Sequence, residues 1–201
     1  MTRIRSLKKE DELLKSKYLI NNPSIYKGRW QEFFGNSNPI YLEIGMGKGQ
    51  FISEMAKQNP DINFIGLEIS EKVITRAIKK RADVNNLYFL SLDALKLGDV
   101  FEKKEVNHIY LTFSDPWPKK RHEKRRLTAE RFLNIYKTIL DGELELKTDN
   151  LGFFIYSLKM FYDNSFLIKE FKSNYDSLIK TEYETKYKEE GRNIYYLRVK
   201  I

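Results

Sequence analysis

From position 39 onward the chain alternates short apolar runs with stretches in which apolar residues return every three or four positions. The runs 40–44 (IYLEI), 62–68 (INFIGLE), 86–91 (NLYFLS), 106–113 (VNHIYLTF) and 143–148 (ELELKT) predict strands, and a final pair is expected near 165–171 and 193–200. The intervening periodicity predicts helices near 49–58, 70–82, 127–140 and 150–162, with a further basic helix over 9–19. Ser70, ahead of EKVITRAIKK, and Thr128, ahead of AERFLNIYKTIL, stand where a hydroxyl caps a helix by accepting an amide proton from its first turn. Strand and helix in alternation define an α/β fold built on a mostly parallel sheet with helices on both faces. No repeat, low-complexity tract or Pro/Gly/Ser-rich linker interrupts it, so residues 31–201 are expected to form one domain behind an N-terminal extension, residues 1–30. In such sheets ligands bind outside the carboxyl ends of the strands, and the polar motifs of this chain fall there.

With 201 residues, 41% hydrophobic and 14% aromatic, the chain has material for one sizeable core, which excludes disordered and fibrous classes. The absence of cysteine excludes disulfides and thiolate zinc sites, and His108 and His122 lack ligand spacing, so no metal site is expected. No signal-peptide pattern opens the sequence and no run of about 18 apolar residues occurs, so a cytoplasmic protein without a membrane partner is expected. The net charge is +8, of which the segment Lys119 to Arg126 (KKRHEKRR) carries +5 and everything else +3. Charge so concentrated argues for a local polyanion contact rather than a generally cationic surface.

The first strand runs into Glu43-Ile44-Gly45-Met46-Gly47-Lys48-Gly49 and then a helix. Glycines on alternate positions let the backbone approach a ligand without obstruction. A P-loop would need GxxxxGKS or GxxxxGKT, but Leu42 stands five residues before Gly47 and Gly49 follows Lys48. The dinucleotide fingerprint GxGxxG would need glycine where Gln50 stands, which also argues against a nicotinamide oxidoreductase. What remains is a glycine turn with an acid inside it, repelling a pyrophosphate and attracting an ammonium or sulfonium. Glu68 ends the second strand, where an acid accepts from ribose hydroxyls, and Asp93 follows the third, near the adenine end. Acids after successive strands suit a cationic, adenosine-bearing ligand, S-adenosylmethionine.

After the fourth strand comes TFSDPWPKKRHEKRRLT, residues 112–128. Each proline fixes its own φ and restricts its predecessor, here Asp115 and Trp117, giving a stiff loop. Trp117 beside a cationic run pairs a stacking surface with phosphate-binding charge, although a tryptophan that only packs the loop down fits the sequence as well. This segment, with EIGMGKG before it and LKTDN and TEYETKYKEEGRNIYY after it, closely resembles the bacterial tRNA (guanine-N7-)-methyltransferases over nearly the whole chain. The resemblance implies the seven-stranded, Rossmann-like class I methyltransferase sheet, S-adenosylmethionine as methyl donor, tRNA as partner and a variable-loop guanine as target. It implies Glu43, Gly45, Gly47, Gly49, Glu68, Asp93 and Asp115 around the donor, with Asp115 catalytic. Lys119, Asp149, Thr181, Glu182, Tyr183 and Glu184 would contact the substrate, and Arg121, His122, Glu123, Lys124, Arg125 and Arg126 would follow the RNA. One departure is Thr112, where relatives often carry Asn. Two other readings stay open: methylation of another RNA or of a base amine, and an RNA-binding relative without turnover. A monomer and a homodimer both fit the sequence.

Overall fold

The computed structural model describes residues 16–81 and 83–201, with Glu182 described by its backbone alone. Residues 9–15 of the expected basic helix lie outside the described residues, and 16–19 form a turn that leads Leu19 into a bridge with Phe89. In chain order the elements are α1 (Trp30–Phe34), β1 (Ile40–Ile44), α2 (Gln50–Gln58), β2 (Asn63–Glu68), α3 (Glu71–Lys80), β3 (Leu87–Ser91) and α4 (Leu97–Val100). They continue with β4 (Val106–Thr112), α5 (Glu130–Ile139), β5 (Leu140–Thr148), α6 (Leu151–Asp163), β6 (Leu167–Lys172), α7 (Glu182–Glu189) and β7 (Tyr195–Lys200).

The strands form one seven-stranded sheet in the order β3-β2-β1-β4-β5-β7-β6. All pairings are parallel except those of β7, which runs antiparallel to β5 and β6. The chain order reverses between β1 and β4, which opens a crevice at their carboxyl ends.

The hydrophobic pattern explains which face each helix covers. Central strands β1 and β2 are covered on both sides, so β2 is buried from Asn63 to Leu67 and only Glu68, at its end, is part-exposed. One face carries Leu42, Ile109, Leu144, Leu146 and Leu197 into the larger core, where Leu133 and Tyr136 of α5 and Phe153 and Phe161 of α6 meet them. On the opposite face α2 and α3 set Ile52, Ala56, Ile74 and Ala77 against Phe64 and Phe89. Beyond these helices that face turns polar: cross-strand register lines up Tyr41 with His108, Tyr110 with Glu145, and Thr112 with Lys147. The expected domain boundary at residue 30 falls within packed structure, since Leu19, Ile20 and Trp30 are all buried.

The two expected caps differ from expectation. Ser70 is at the N-cap of α3, but its hydroxyl makes no capping bond; its amide donates to Glu68 Oε1 at 3.1 Å. Helix α5 starts one residue later than Thr128 would require, with Ala129 at the N-cap. Thr128 is fully buried, and its hydroxyl satisfies itself against Ser157 of α6 at 2.8 Å. Helix α7 lies in a stretch that reads as merely polar, because its apolar positions form no continuous stripe. Among the described residues no helix is long and apolar enough to cross a membrane.

Candidate active site

A cleft of about 790 Å³ opens at the carboxyl edge of the sheet, and Glu43, Gly45, Gly47, Glu68, Asp93 and Asp115 all line it. Asp149, Thr181, Tyr183, Trp117 and Arg125 line the same cleft, so residues from both ends of the sequence meet there.

The floor is the turn from β1 to α2. Gly45, Gly47 and Gly49 have φ of +75°, +56° and +70°, a region that side chains with a Cβ enter only with strain. The amides of Gly45 and Met46 donate to the Leu67 carbonyl at 2.8 and 3.1 Å, drawing the turn against β2. Gly49 does not line the cleft; it is the N-cap of α2. Glu68 holds the turn from the side: Oε2 accepts from the Gly47 amide at 3.2 Å, and Oε1 accepts from Ile69 and Ser70. Asp93 accepts from the Leu95 amide at 2.9 Å and so caps the turn after β3 while facing the cleft.

Glu43 is 1% exposed. Its Oε1 accepts from the Thr112 hydroxyl, whereas Oε2 is buried without a hydrogen-bond partner among the described residues. Burial pushes the carboxyl up to about 7, against the opposing pull of the Thr112 bond and the charge of Lys147. A buried acceptor with a spare oxygen on the wall of a cleft suits a bound cation or N–H donor.

The loop after β4 forms the opposite lip. Phe113 and Trp117 have φ of +50° and +41°, left-handed values that cost of order 1–3 kcal/mol each at non-glycine residues and persist only under restraint. The Phe113 amide donates to the Lys147 carbonyl at 2.8 Å, and Arg126 restrains the Trp117 end. Its Nε donates to the Pro116 carbonyl at 2.9 Å, Nη2 to the Trp117 carbonyl at 3.0 Å, and its guanidinium lies 4.2 Å from the Tyr156 ring centre. At 7% exposure Arg126 is buried beneath the loop it pins, unlike the exposed cations expected beside it along the RNA. Asp115 is exposed at the cleft, and Trp117 is part-buried, edge-on to His122 at 5.6 Å with the Arg125 guanidinium 5.0 Å from its ring.

The remaining cationic run is outside: Lys119, Lys120, Arg121, Lys124 and Arg125 are exposed, while His122 and Glu123 are half-buried. Lys119 does not line the cleft; it stands at the start of the 3-10 helix Lys120–Arg125.

The third wall comes from β5 and α7. Asp149 lies 3.0 Å from Arg192 in an ion pair, and Thr181 caps α7 by accepting from the Glu184 amide at 2.9 Å. Tyr183, 53% exposed, stacks with Tyr187 at 6.1 Å, and Tyr187 meets Phe113 at 5.9 Å, so an aromatic row runs along the cleft. Glu184, expected on the substrate side, does not line the cleft: it is fully buried and paired with Lys147 at 3.1 Å. Sequence reasoning missed Tyr187, Phe113 and Lys147; the spacing of Tyr183 and Tyr187, one helical turn apart, is the signal that pointed to the first.

Comparison with solved structures gives the class. The 16S rRNA methyltransferase KamB superposes with a TM-score of 0.67 at 11% identity, covering 87% of this chain and 93% of that one. An antibiotic-related methyltransferase superposes with 0.63 at 16% identity over 86% and 92%; at these identities the likeness is one of fold. Residues 37–197 match the family described as "Putative methyltransferase". The chain is therefore a Rossmann-like class I methyltransferase, an enzyme that uses S-adenosylmethionine.

Nearer relatives specify it further. The tRNA (guanine-N(7)-)-methyltransferase of Listeria welshimeri is 53% identical over 191 residues, 90% of this chain and 89% of that protein. The enzymes of the same name from Bacillus subtilis and Streptococcus sanguinis are 51% identical over 189 residues and 47% over 204, covering 90% and 96% of this chain and 89% and 96% of their own. The chain belongs to the tRNA (guanine-N(7)-)-methyltransferase family.

Proposed function

We infer that the protein methylates N7 of a guanine in tRNA, and that this guanine lies in the variable loop. The observation that carries the reading is that one cleft joins acids at the ends of β1, β2 and β3 to an Arg126-pinned loop flanked by exposed cations. S-adenosylmethionine supplies an electrophilic methyl group on a cationic sulfur. The unpartnered Glu43 oxygen fits the cationic end of that molecule, Glu68 the ribose hydroxyls and Asp93 the adenine side, with Gly45 and Gly47 leaving room for close approach.

Guanine N7 carries a free lone pair at neutral pH, so its attack on a methyl group needs no prior loss of a proton. The chain's task is alignment at a separation of about 3–3.5 Å. Methylation puts positive charge on the base and acidifies N1–H. Asp115 orients guanine by accepting from N1–H or the neighbouring amino group, and stabilises the developing charge. Asp149 lines the same cleft from the β5 wall and contributes to the same donor edge, while Arg192 holds its other oxygen. Adenine, with an acceptor at N1, gains nothing from these carboxylates. Lys119, Lys120, Arg121, Lys124 and Arg125 follow the RNA backbone, and the enzyme acts where tRNA matures, in the cytoplasm.

The test is Asp115→Asn under single turnover, with saturating donor and tRNA. A fall in rate of about a hundredfold or more is expected; a near-normal rate removes Asp115 from the chemistry.

A further inference from the structure

The donor side and the substrate side of the cleft come from different parts of the chain, and one buried cation touches both. Lys147 on β5 is 4% exposed. Its ammonium donates to Glu184 Oε2 and to Ser177 Oγ, each at 3.1 Å, and sits 4.5 Å from the centre of the Phe51 ring on α2. Glu184 Oε1 in turn accepts from the Ser177 hydroxyl and, at 3.4 Å, from its amide. Toward the donor side, Lys147 stands directly opposite Thr112 in the β4–β5 register, and the Thr112 hydroxyl is bonded to Glu43.

An ion pair buried this deeply contributes little net stability, because desolvation of both groups offsets their attraction and an apolar pair of equal volume does as well. It does fix position, since a charged partner cannot slide without leaving a buried ion exposed to an apolar wall. Position is what α7 needs. Glu184 is the only buried side chain among the described residues of the helix, whose Tyr183, Thr185, Lys186 and Glu189 are exposed. Where Glu184 is held therefore sets how the helix is rotated, and with it where Tyr183 and Tyr187 face.

We propose that Lys147 is a positioning residue for the methyl transfer: through Glu184 it sets α7 so that Thr181, Tyr183 and Tyr187 form the nucleoside-facing wall at a fixed distance from Glu43. The tether rests on the assignment of the cleft to tRNA guanine. Its ligand on the α7 side is an unpaired nucleobase, held by stacking on Tyr183 and Tyr187. Phe113 and Arg192, each against Tyr187, stiffen that surface.

Lys147→Met alone leaves Glu184 buried without a partner and puts the fold at risk, so the informative variant is the double change Lys147→Met with Glu184→Met. It keeps the volume, removes both charges and releases the helix from its fixed seat. With a native circular dichroism spectrum, it is expected to bind S-adenosylmethionine within about threefold of wild type in calorimetry, and to lose about tenfold or more in kcat/KM for tRNA, chiefly through KM. A second measurement separates positioning from mere support. Tyr183→Ala is expected to cost about tenfold in the wild-type background and less than about twofold in the double variant, because the ring is already displaced. A double variant with the wild-type KM for tRNA, full additivity with Tyr183→Ala, or a parallel loss of donor affinity overturns the tether. Absence of 7-methylguanosine from the wild-type reaction overturns the functional reading itself and the tether with it; normal transfer by wild type and double variant alike overturns the tether alone.

Discussion

Glu43 shows how far a single side chain departs from its ordinary behaviour when the fold encloses it. Burial raises its carboxyl from 4.5 to about 7, with Glu68 adding repulsion and Lys147 and Thr112 opposing. The folded chain therefore binds a proton more tightly than the unfolded one, and stability falls as pH rises between those two values. Glu43→Gln removes this penalty: in denaturant titrations the variant is expected to match wild type near pH 4 and to exceed it above about pH 7, by at most about 3 kcal/mol. The same group makes donor binding sensitive to pH. A cationic donor favours the ionised carboxylate, so binding near pH 6 is expected to release a proton, whereas the demethylated by-product, which keeps its ammonium but lacks the sulfonium charge, is expected to release fewer. Calorimetry in two buffers of different ionisation heat checks this, and equal proton release for the two ligands contradicts it. The places of Glu43 and Glu68 on the cleft were legible because each sits where a strand ends. Those of Glu184 and Arg126 were not, since a charged residue in a polar stretch gives no sign of which way it points. Both proved to be buried, one on Lys147 and the other on two backbone carbonyls.

At the scale of elements, the loop after β4 is held by Arg126 as well as stiffened by its prolines. Trp117, a left-handed residue, needs a partner that holds the chain in place, and the planar guanidinium reaches the carbonyls of Pro116 and Trp117 at once. Arg126→Ala leaves both carbonyls without that donor and is expected to lower stability by about 2–3 kcal/mol and reduce kcat, with donor affinity kept. Arg126→Lys is expected to fail as a rescue, because an ammonium lacks the fork that spans the pair. Thermal melts with kcat and donor Kd measured together check both statements. The strands were readable from their apolar runs, β1 to β4 to within one residue at either end, because each is largely buried. Helix α7 was not readable, because one buried ion pair anchors it in place of an apolar stripe.

For the molecule as a whole, the charge excess of segment 119–126 divides once the structure is known. Five of its cations face outward, and Arg126 faces in. Replacing Lys120, Arg121, Lys124 and Arg125 with Gln is expected to weaken tRNA binding. It is also expected to flatten the dependence of log K on log salt by about 0.9 for each duplex phosphate that the protein no longer neutralises. Unchanged affinity across salt would take the run out of the interface.

The central claim is that one cleft presents a guanine N7 to the methyl group of S-adenosylmethionine. Its most direct test is to incubate the protein with unmodified tRNA and donor carrying a labelled methyl group, and then to cleave the RNA chemically at 7-methylguanosine. Label at a single variable-loop guanine is the expected result. Label on an exocyclic amine, or donor binding with no label transferred, contradicts it.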